Sequence, residues 1–315
     1  MKYNIVLGKK SIAMSYKEDQ RRRAVAARDA LFNDPGTGMF LGKQRDFVLK
    51  DPSLNLWAGI RDDAKRYFSE NRISWWKGSK SDPNGHLLSS QVACVNHLYS
   101  LRQRRDAAIA VLATVEPTIC DVLPMDTGFV AFEYIGSRQY LKERGFTRGS
   151  NCTSVDAAML GVTTEKQHIL FLIEWKFTES YNPEDLYIGR RASVYDPLIT
   201  CADGPFVPGI KARSLYYEPF YQMMRQTLLA SLFEKHREMG CVRCLNVHVV
   251  PKGNRDLKAS VTSPDLRGRN IHDAWRKVLK APYKYVPIDP SDLLKSTRSL
   301  PDTESWLNYL KARYW

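Results

Sequence analysis

A chain of 315 residues with 43% hydrophobic content has ample apolar material for a large packed core, which excludes a disordered or low-complexity polypeptide. Lys and Arg number 47 against 34 Asp and Glu, and the net charge of +13 suits a polyanionic partner such as nucleic acid. No window reaches the apolar length of a membrane span and the first twenty residues lack a secretion signal's apolar stretch, so the expectation is a cytoplasmic, reduced chain with no membrane partner.

In chain order, residues 1–84 read as a helical, basic N-terminal segment and residues 85–315 as one α/β domain. RRRAVAARDALF and NLWAGIRDDAKRYFSENRI are amphipathic helices with no chemistry visible in them. Arg21, Arg22 and Arg23 are either phosphate contacts or a solvated helix face. SKSDPNG breaks the chain, a helix runs from about His86 through LLSSQVACVNHLYSL, and RRDAAIAVLATV forms another that ends before Pro117.

From Gly128 the period changes. FVAFEYI, TSVDAAMLGV and HILFLIEWKF read as three successive strands, antiparallel because their connections are short. Residues 179–212 show no clean period and read as a long surface loop. A helix from about Glu218 to Glu238, the strand CLNVHVVP, a helix around IHDAWRKVL, a strand at YKYVPI and a terminal helix complete the pattern. Helix, three strands, helix, strand is the order that matters below.

Two of those strands carry charges that an apolar strand does not tolerate without a reason. Asp156 interrupts TSVDAAMLGV, and Glu174 and Lys176 flank Trp175 in HILFLIEWKF. An acid followed two residues later by lysine occurs three times in the chain, so the tripeptide alone says little. Asp63-Ala64-Lys65 lies in a charged helix and Asp256-Leu257-Lys258 in a polar stretch, and both are explained as solvated surface. Glu174 and Lys176 instead share one face of an apolar strand, with Asp156 within reach if the two strands pair. Converging carboxylates suit a hard divalent cation such as Mg²⁺, and a lysine beside them suits phosphodiester hydrolysis. The competing reading is a buried Asp-Lys-Glu ion-pair network, disfavoured by its desolvation cost.

These residues and this order of elements resemble the PD-(D/E)xK nuclease superfamily, across about His86 to Pro251. HLLSSQVACVN, IEWKFTES and PFYQMMRQTLLA are also similar to a bacterial group of restriction endonucleases within it. The resemblance implies a restriction-endonuclease-like α/β fold with a central mixed β-sheet flanked by helices. It also implies Mg²⁺-dependent hydrolysis of DNA phosphodiesters, with Mn²⁺ substituting, Asp156 and Glu174 as metal ligands and Lys176 as the catalytic lysine. Val155 stands where the family's name has proline, which is not a ligand position. A third acidic or polar group comes either from Gln91 on the first core helix or from Glu133 in FVAFEYI, where Glu133 is either a metal ligand or the partner of a buried base.

Gln222, Arg225 and Gln226 fall on one side of the helix after the lysine strand, where they form either the rim of the site or a solvated face. Arg190, Arg191, Lys142, Arg144, Arg148 and Arg225 are the candidate DNA contacts, and Tyr181, Tyr187 and Tyr195 either stack on bases or pack on the protein. Duplex cutting with one site per chain points to a homodimer, and a restriction role to a methyltransferase partner in the same system. A repair nuclease, an RNA-directed nuclease and a non-catalytic nucleic-acid-binding module are the alternatives; retention of all three site residues argues against the last. Of the six cysteines, only Cys241 and Cys244 have metal-site spacing, with His236 and His248 on either side. A single CxxC entering an apolar strand is expected to be packing.

Overall fold

Ser15 opens the first helix, α1 (Tyr16–Phe32), by accepting from Glu18 N–H. The structure, a computed structural model, describes residues 14–315, so residues 1–13 of the expected N-terminal segment lie outside the described residues. A short hairpin, β1 (Gly38–Phe40) and β2 (Lys43–Arg45), precedes α2 (Arg61–Glu70). Ser89 caps α3 (Ser90–Leu98), and α4 (Arg105–Val115) leads into β3 (Ile119–Leu123), β4 (Ala131–Tyr134), β5 (Val155–Thr163) and β6 (His168–Trp175). Then come α5 (Gly189–Ile199), α6 (Phe220–Lys235), β7 (Arg243–Val249), α7 (Arg255–Ala259), α8 (Ile271–Val278), β8 (Tyr285–Ile288), α9 (Pro290–Leu293) and α10 (Glu304–Tyr314).

The sheet runs β3-β5-β6-β7-β8, with β4 beside the first half of β5 and β3 beside the second. β5 and β6 are antiparallel, whereas β6, β7 and β8 are parallel, which makes the sheet mixed as expected. Two expectations need correction. Four strands of this sheet, not three, precede the long helix, because Ile119–Leu123 is a short edge strand whose Cys120 is exposed and whose Asp121 is half-buried. Residues 179–212 are not one loop, because they contain α5; its buried residues are Tyr195 and Ile199, one turn apart, with Val194 and Leu198 half-buried beside them, and Pro197 lies within it.

Period-two alternation decides which residues face which layer. On β6, Ile169, Phe171, Ile173 and Trp175 join Val92, Val95, Leu98, Val111 and Trp306 in the core under α3, α4 and α10. Leu170 and Leu172 join Met224, Leu228, Phe233 and Trp275 in the core under α6 and α8. On β5, Ala157 and Met159 face the first layer, Ala158 and Leu160 the second. Asp156 and Glu174 therefore belong by parity to the α6 face. Leu56, Tyr67, Phe68 and Trp75 lie in the same core as Val92 and Phe171, so the segment before residue 85 is packed into the domain from Leu56 onward.

Candidate active site

Extending the β5–β6 register by one residue beyond Ala157 opposite Ile173 sets Asp156 across from Glu174 at the open end of the strand pair. Asp156 Oδ2 there accepts from the Trp175 amide at 2.6 Å, a bond that continues the ladder through a side chain. Lys176 lies one residue past the end of β6, anchored by its own amide to Val249 O at 2.9 Å. Its Nζ is 2.7 Å from Glu174 Oε1. Asp156, Glu174, Lys176, Glu133, Gln91 and Gln222 line one cavity of about 420 Å³.

Helix α6 holds the pair from the side. Gln222 donates to Glu174 Oε1 at 2.7 Å and accepts from Lys176 Nζ, while buried Gln226 donates to Glu174 Oε2. Residues four apart on a helix present adjacent side chains, and here both amides grip one carboxylate. Glu133 is buried with φ of +49°, a left-handed conformation that costs a non-glycine residue roughly 1–2 kcal/mol. Such strain persists where surroundings over-determine it: Gln91 donates to Glu133 at 2.8 Å and Ser154 at 2.9 Å. Burial first, then the charges of Glu174 and Glu133, push the Asp156 carboxyl well above its ordinary range against the pull of Lys176 and the Trp175 amide. Burial likewise raises Glu133, with the Gln91 and Ser154 hydrogen bonds opposing it.

A family model described as restriction endonuclease associating with ARP matches residues 22–315. The chain belongs to that family. No curated protein and no solved structure matches it. The family's description is that of a nuclease, and the restriction-endonuclease-like fold agrees with the mixed sheet and flanking helices. The match begins well before residue 85, as the shared core does.

Within this restriction-endonuclease family member, the cavity has a wall that no sequence pattern revealed. Phe40 from the hairpin, Trp76 and His86 line it, with Phe40 4.7 Å from the His86 ring and 5.9 Å from Trp76. Trp76 is half exposed, and its amide donates to Gln91 Oε1 at 2.8 Å, so the wall is tied to the same glutamine that holds Glu133. The Trp75-Trp76 pair in an otherwise polar stretch was the available signal.

The expected DNA contacts separate into groups. Arg144, Arg190, Arg191 and Arg225 converge on a second cavity. Lys142 is exposed and stands apart from that lining. Arg148 is turned inward, bonding Phe132 O at 3.0 Å and the Tyr67 hydroxyl at 2.8 Å and pairing with Asp126 at 2.9 Å, so it braces β4. Tyr195 is buried with its hydroxyl bonded to Glu143; Tyr187 is half-buried, donates to Asp196 at 2.9 Å and packs edge-on against Tyr216, and Tyr181 is half-buried. Arg21 lies 4.3 Å over the Phe47 ring and Arg23 bonds the Trp315 carbonyl at 2.7 Å, which ties α1 to the chain's last residue. Cys241 and Cys244 are buried with sulfurs 3.7 Å apart, His248 bonds the Tyr285 hydroxyl, and among the described residues no three His, Cys, Asp or Glu side chains gather as a metal cage. No helix among the described residues is long and apolar enough to cross a membrane.

Proposed function

We propose that this chain is a Mg²⁺-dependent DNA endonuclease of restriction or defence type. The observation that carries the reading is the convergence of Asp156, Glu174 and Lys176 in one cavity, on the sheet face gripped by Gln222 and Gln226. Two carboxylates with oxygen donors fit Mg²⁺, which fills its remaining positions with water and substrate phosphate and so needs no larger protein cage; Mn²⁺ accepts the same set. Burial, with the neighbouring Glu174 and Glu133, raises Asp156, a deficit of positive charge that a divalent cation supplies. When bound, Mg²⁺ provides Lewis-acid polarisation of a phosphate and a water of lowered pKa.

The protein's own groups do the rest. Burial opposes charge on Lys176, but Glu174, Tyr181, Glu179 and Asp156 together outweigh it and hold the ammonium well above its ordinary range. Lys176 therefore acts as a charged donor, able to bind a non-bridging phosphate oxygen where negative charge develops, rather than as a base. Gln222, bonded to both Lys176 and Glu174, fixes their spacing. Glu133 and Gln91 complete the floor and hold Ser154 in place. Phe40 and Trp76 form an aromatic wall on which a base beside the scissile phosphate stacks.

Supercoiled plasmid incubated with the protein in Mg²⁺ or EDTA tests this, with duplex DNA, single-stranded DNA and RNA digested in parallel. Metal-dependent nicking or linearisation of the plasmid is expected, with a loss on the order of 10³-fold in Lys176→Ala. Equal activity in that variant, or cleavage in EDTA, sinks the assignment; cleavage confined to RNA moves it to an RNA-directed nuclease.

A further inference from the structure

A cavity of about 610 Å³ lies beside the carboxylate site and is lined by Arg144, Arg190, Arg191, Arg225, Glu143 and Tyr221, among others. Helix α6 is the shared wall: Gln222 faces one cavity and Arg225 the other, about 4.5 Å apart along the helix axis at 1.5 Å per residue. Four guanidiniums against one carboxylate leave three positive charges unmatched in the lining. That carboxylate is already engaged, since Glu143 accepts from the Thr153 amide and hydroxyl, each at 2.6 Å, and from the Tyr195 hydroxyl.

Among the described residues, none of the four arginines takes part in an ion pair. Arg225 Nε is shut off from solvent and has no hydrogen-bond partner among them. The group's other contacts are a 3.3 Å bond to Thr153 Oγ1 and a position 4.8 Å from the centre of the Tyr221 ring, which Arg191 also covers at 5.2 Å. Arg144 and Arg190 stand exposed. Glu143 and Glu218 act on Arg225 only through space, with no ion pair formed, and the unmatched charge of the lining is what a bound anion completes.

We propose that this cavity binds a phosphomonoester, either the terminal phosphate of a nucleic-acid strand or the phosphates of a free nucleotide. An internal phosphodiester carries a single negative charge, whereas a phosphomonoester carries about −1.5 to −2 near neutral pH, closer to the unmatched charge of the lining. Guanidinium forks match phosphate oxygens two at a time. The volume admits a whole nucleotide rather than a lone ion. The strand-end form rests on the nuclease reading only in taking the bound strand to be substrate; binding itself is independent of cleavage.

The test uses the full chain in EDTA, with fluorescence anisotropy of oligonucleotides bearing a 5′-phosphate, a 3′-phosphate or only hydroxyl ends, and competition by ATP and pyrophosphate. An end phosphate is expected to tighten binding about tenfold, the scale of one charge-assisted contact. That gain disappears in Arg225→Gln and survives in Lys176→Ala. If ATP or pyrophosphate binds in an Arg225-dependent way while strand ends make no difference, the site stands with a free nucleotide as its ligand. Equal affinity for all ends, with no Arg225-dependent binding of ATP or pyrophosphate, overturns it. Because Arg225→Gln also uncovers Tyr221, the exposed pair Arg144→Gln with Arg190→Gln serves as a second variant, expected to lose most of the gain at an unchanged melting temperature. No arm depends on cleavage, so a chain that keeps its end preference but never cuts DNA disproves the nuclease reading alone.

Discussion

The two cavities that share α6 are opposites in charge and in construction. One gathers Asp156, Glu174 and Glu133 at the open end of a strand pair, the first two placed by strand parity and Glu133 by a left-handed kink in β4, and locks them with a glutamine, a serine or a backbone amide. The other gathers arginines from a loop, from α5 and from α6, with a single engaged carboxylate among them. A rigid sheet suits chemistry that tolerates little displacement, whereas a basic pocket of long side chains on two helices and a loop suits binding, where those side chains adjust to their ligand. Helix α6 couples the two in position without mixing their charges, because Gln222 and Gln226 turn to one side and Arg225 to the other.

The largest effect that tests this contrast comes from Asp156→Asn. Asparagine keeps the acceptor for the Trp175 amide but removes a carboxyl that burial, Glu174 and Glu133 already disfavour as an anion. Nuclease activity should fall on the order of 10³-fold, while the metal-free protein gains about 1 kcal/mol of stability, the usual trade at a strained functional site. Thermal denaturation with and without Mg²⁺ checks both halves. Wild type should be stabilised by Mg²⁺ and the variant should not. A metal-free variant less stable than wild type would show that the carboxylates are a structural network after all.

How far the sequence carried this picture depends on the range over which each residue finds its neighbours. Asp156, Glu174 and Lys176 were legible because β5 and β6 are apolar on both faces, so a charge there has no surface explanation. Gln222 and Gln226 were placed on one side of their helix, as they are, but Arg225 was expected beside them and turns instead to the second cavity; whether the glutamines met solvent or Glu174 depended on how α6 lies over the sheet. Phe40 and Trp76 were missed because a hairpin and a turn about a hundred residues earlier in the chain bring them to the site, and no local period encodes that. Arg148 was misread in the other direction: a basic residue in a loop looks solvated until Phe132 O and Asp126 are found around it. The arginines of the second cavity were each visible, but their convergence was not.

Acid offers a middle-sized test, because the carboxylate side of the molecule rests on a buried histidine. His97 packs 4.5 Å from Trp175, the residue between Glu174 and Lys176, and burial lowers its pKa to about 3, against the hydrogen bond to Ala93 O. The unfolded chain binds a proton there below about pH 6.5, which the folded chain refuses. Its contribution is therefore intact above about pH 6.5 and is lost as pH falls toward 3, by about 1.4 kcal/mol per unit, or roughly 3 kcal/mol by pH 4. Chemical denaturation between pH 7 and pH 4 should show this loss, reduced in His97→Gln. Near-ultraviolet circular dichroism should report Trp175 loosening first, and an acid profile identical in the variant would remove His97 from the account.

The smallest change probes the boundary itself, where neighbouring residues on α6 serve different cavities. Gln226→Ala removes one of the two amides on Glu174 but leaves Gln222 and Lys176 in place, so the carboxylate is held from one side only. The expected result is about a tenfold loss in kcat with little change in KM, since an interaction that orients a metal-binding carboxylate acts on the chemical step. Arg225 is the preceding residue, yet its contacts run to Thr153 and Tyr221 and none to Glu174. Binding of a phosphorylated oligonucleotide in EDTA should therefore be unchanged in Gln226→Ala, and the double variant with Arg225→Gln should show the two losses simply added. A non-additive result would mean that α6 shifts as a unit when either cavity is altered, and that the two sites are one mechanism rather than two.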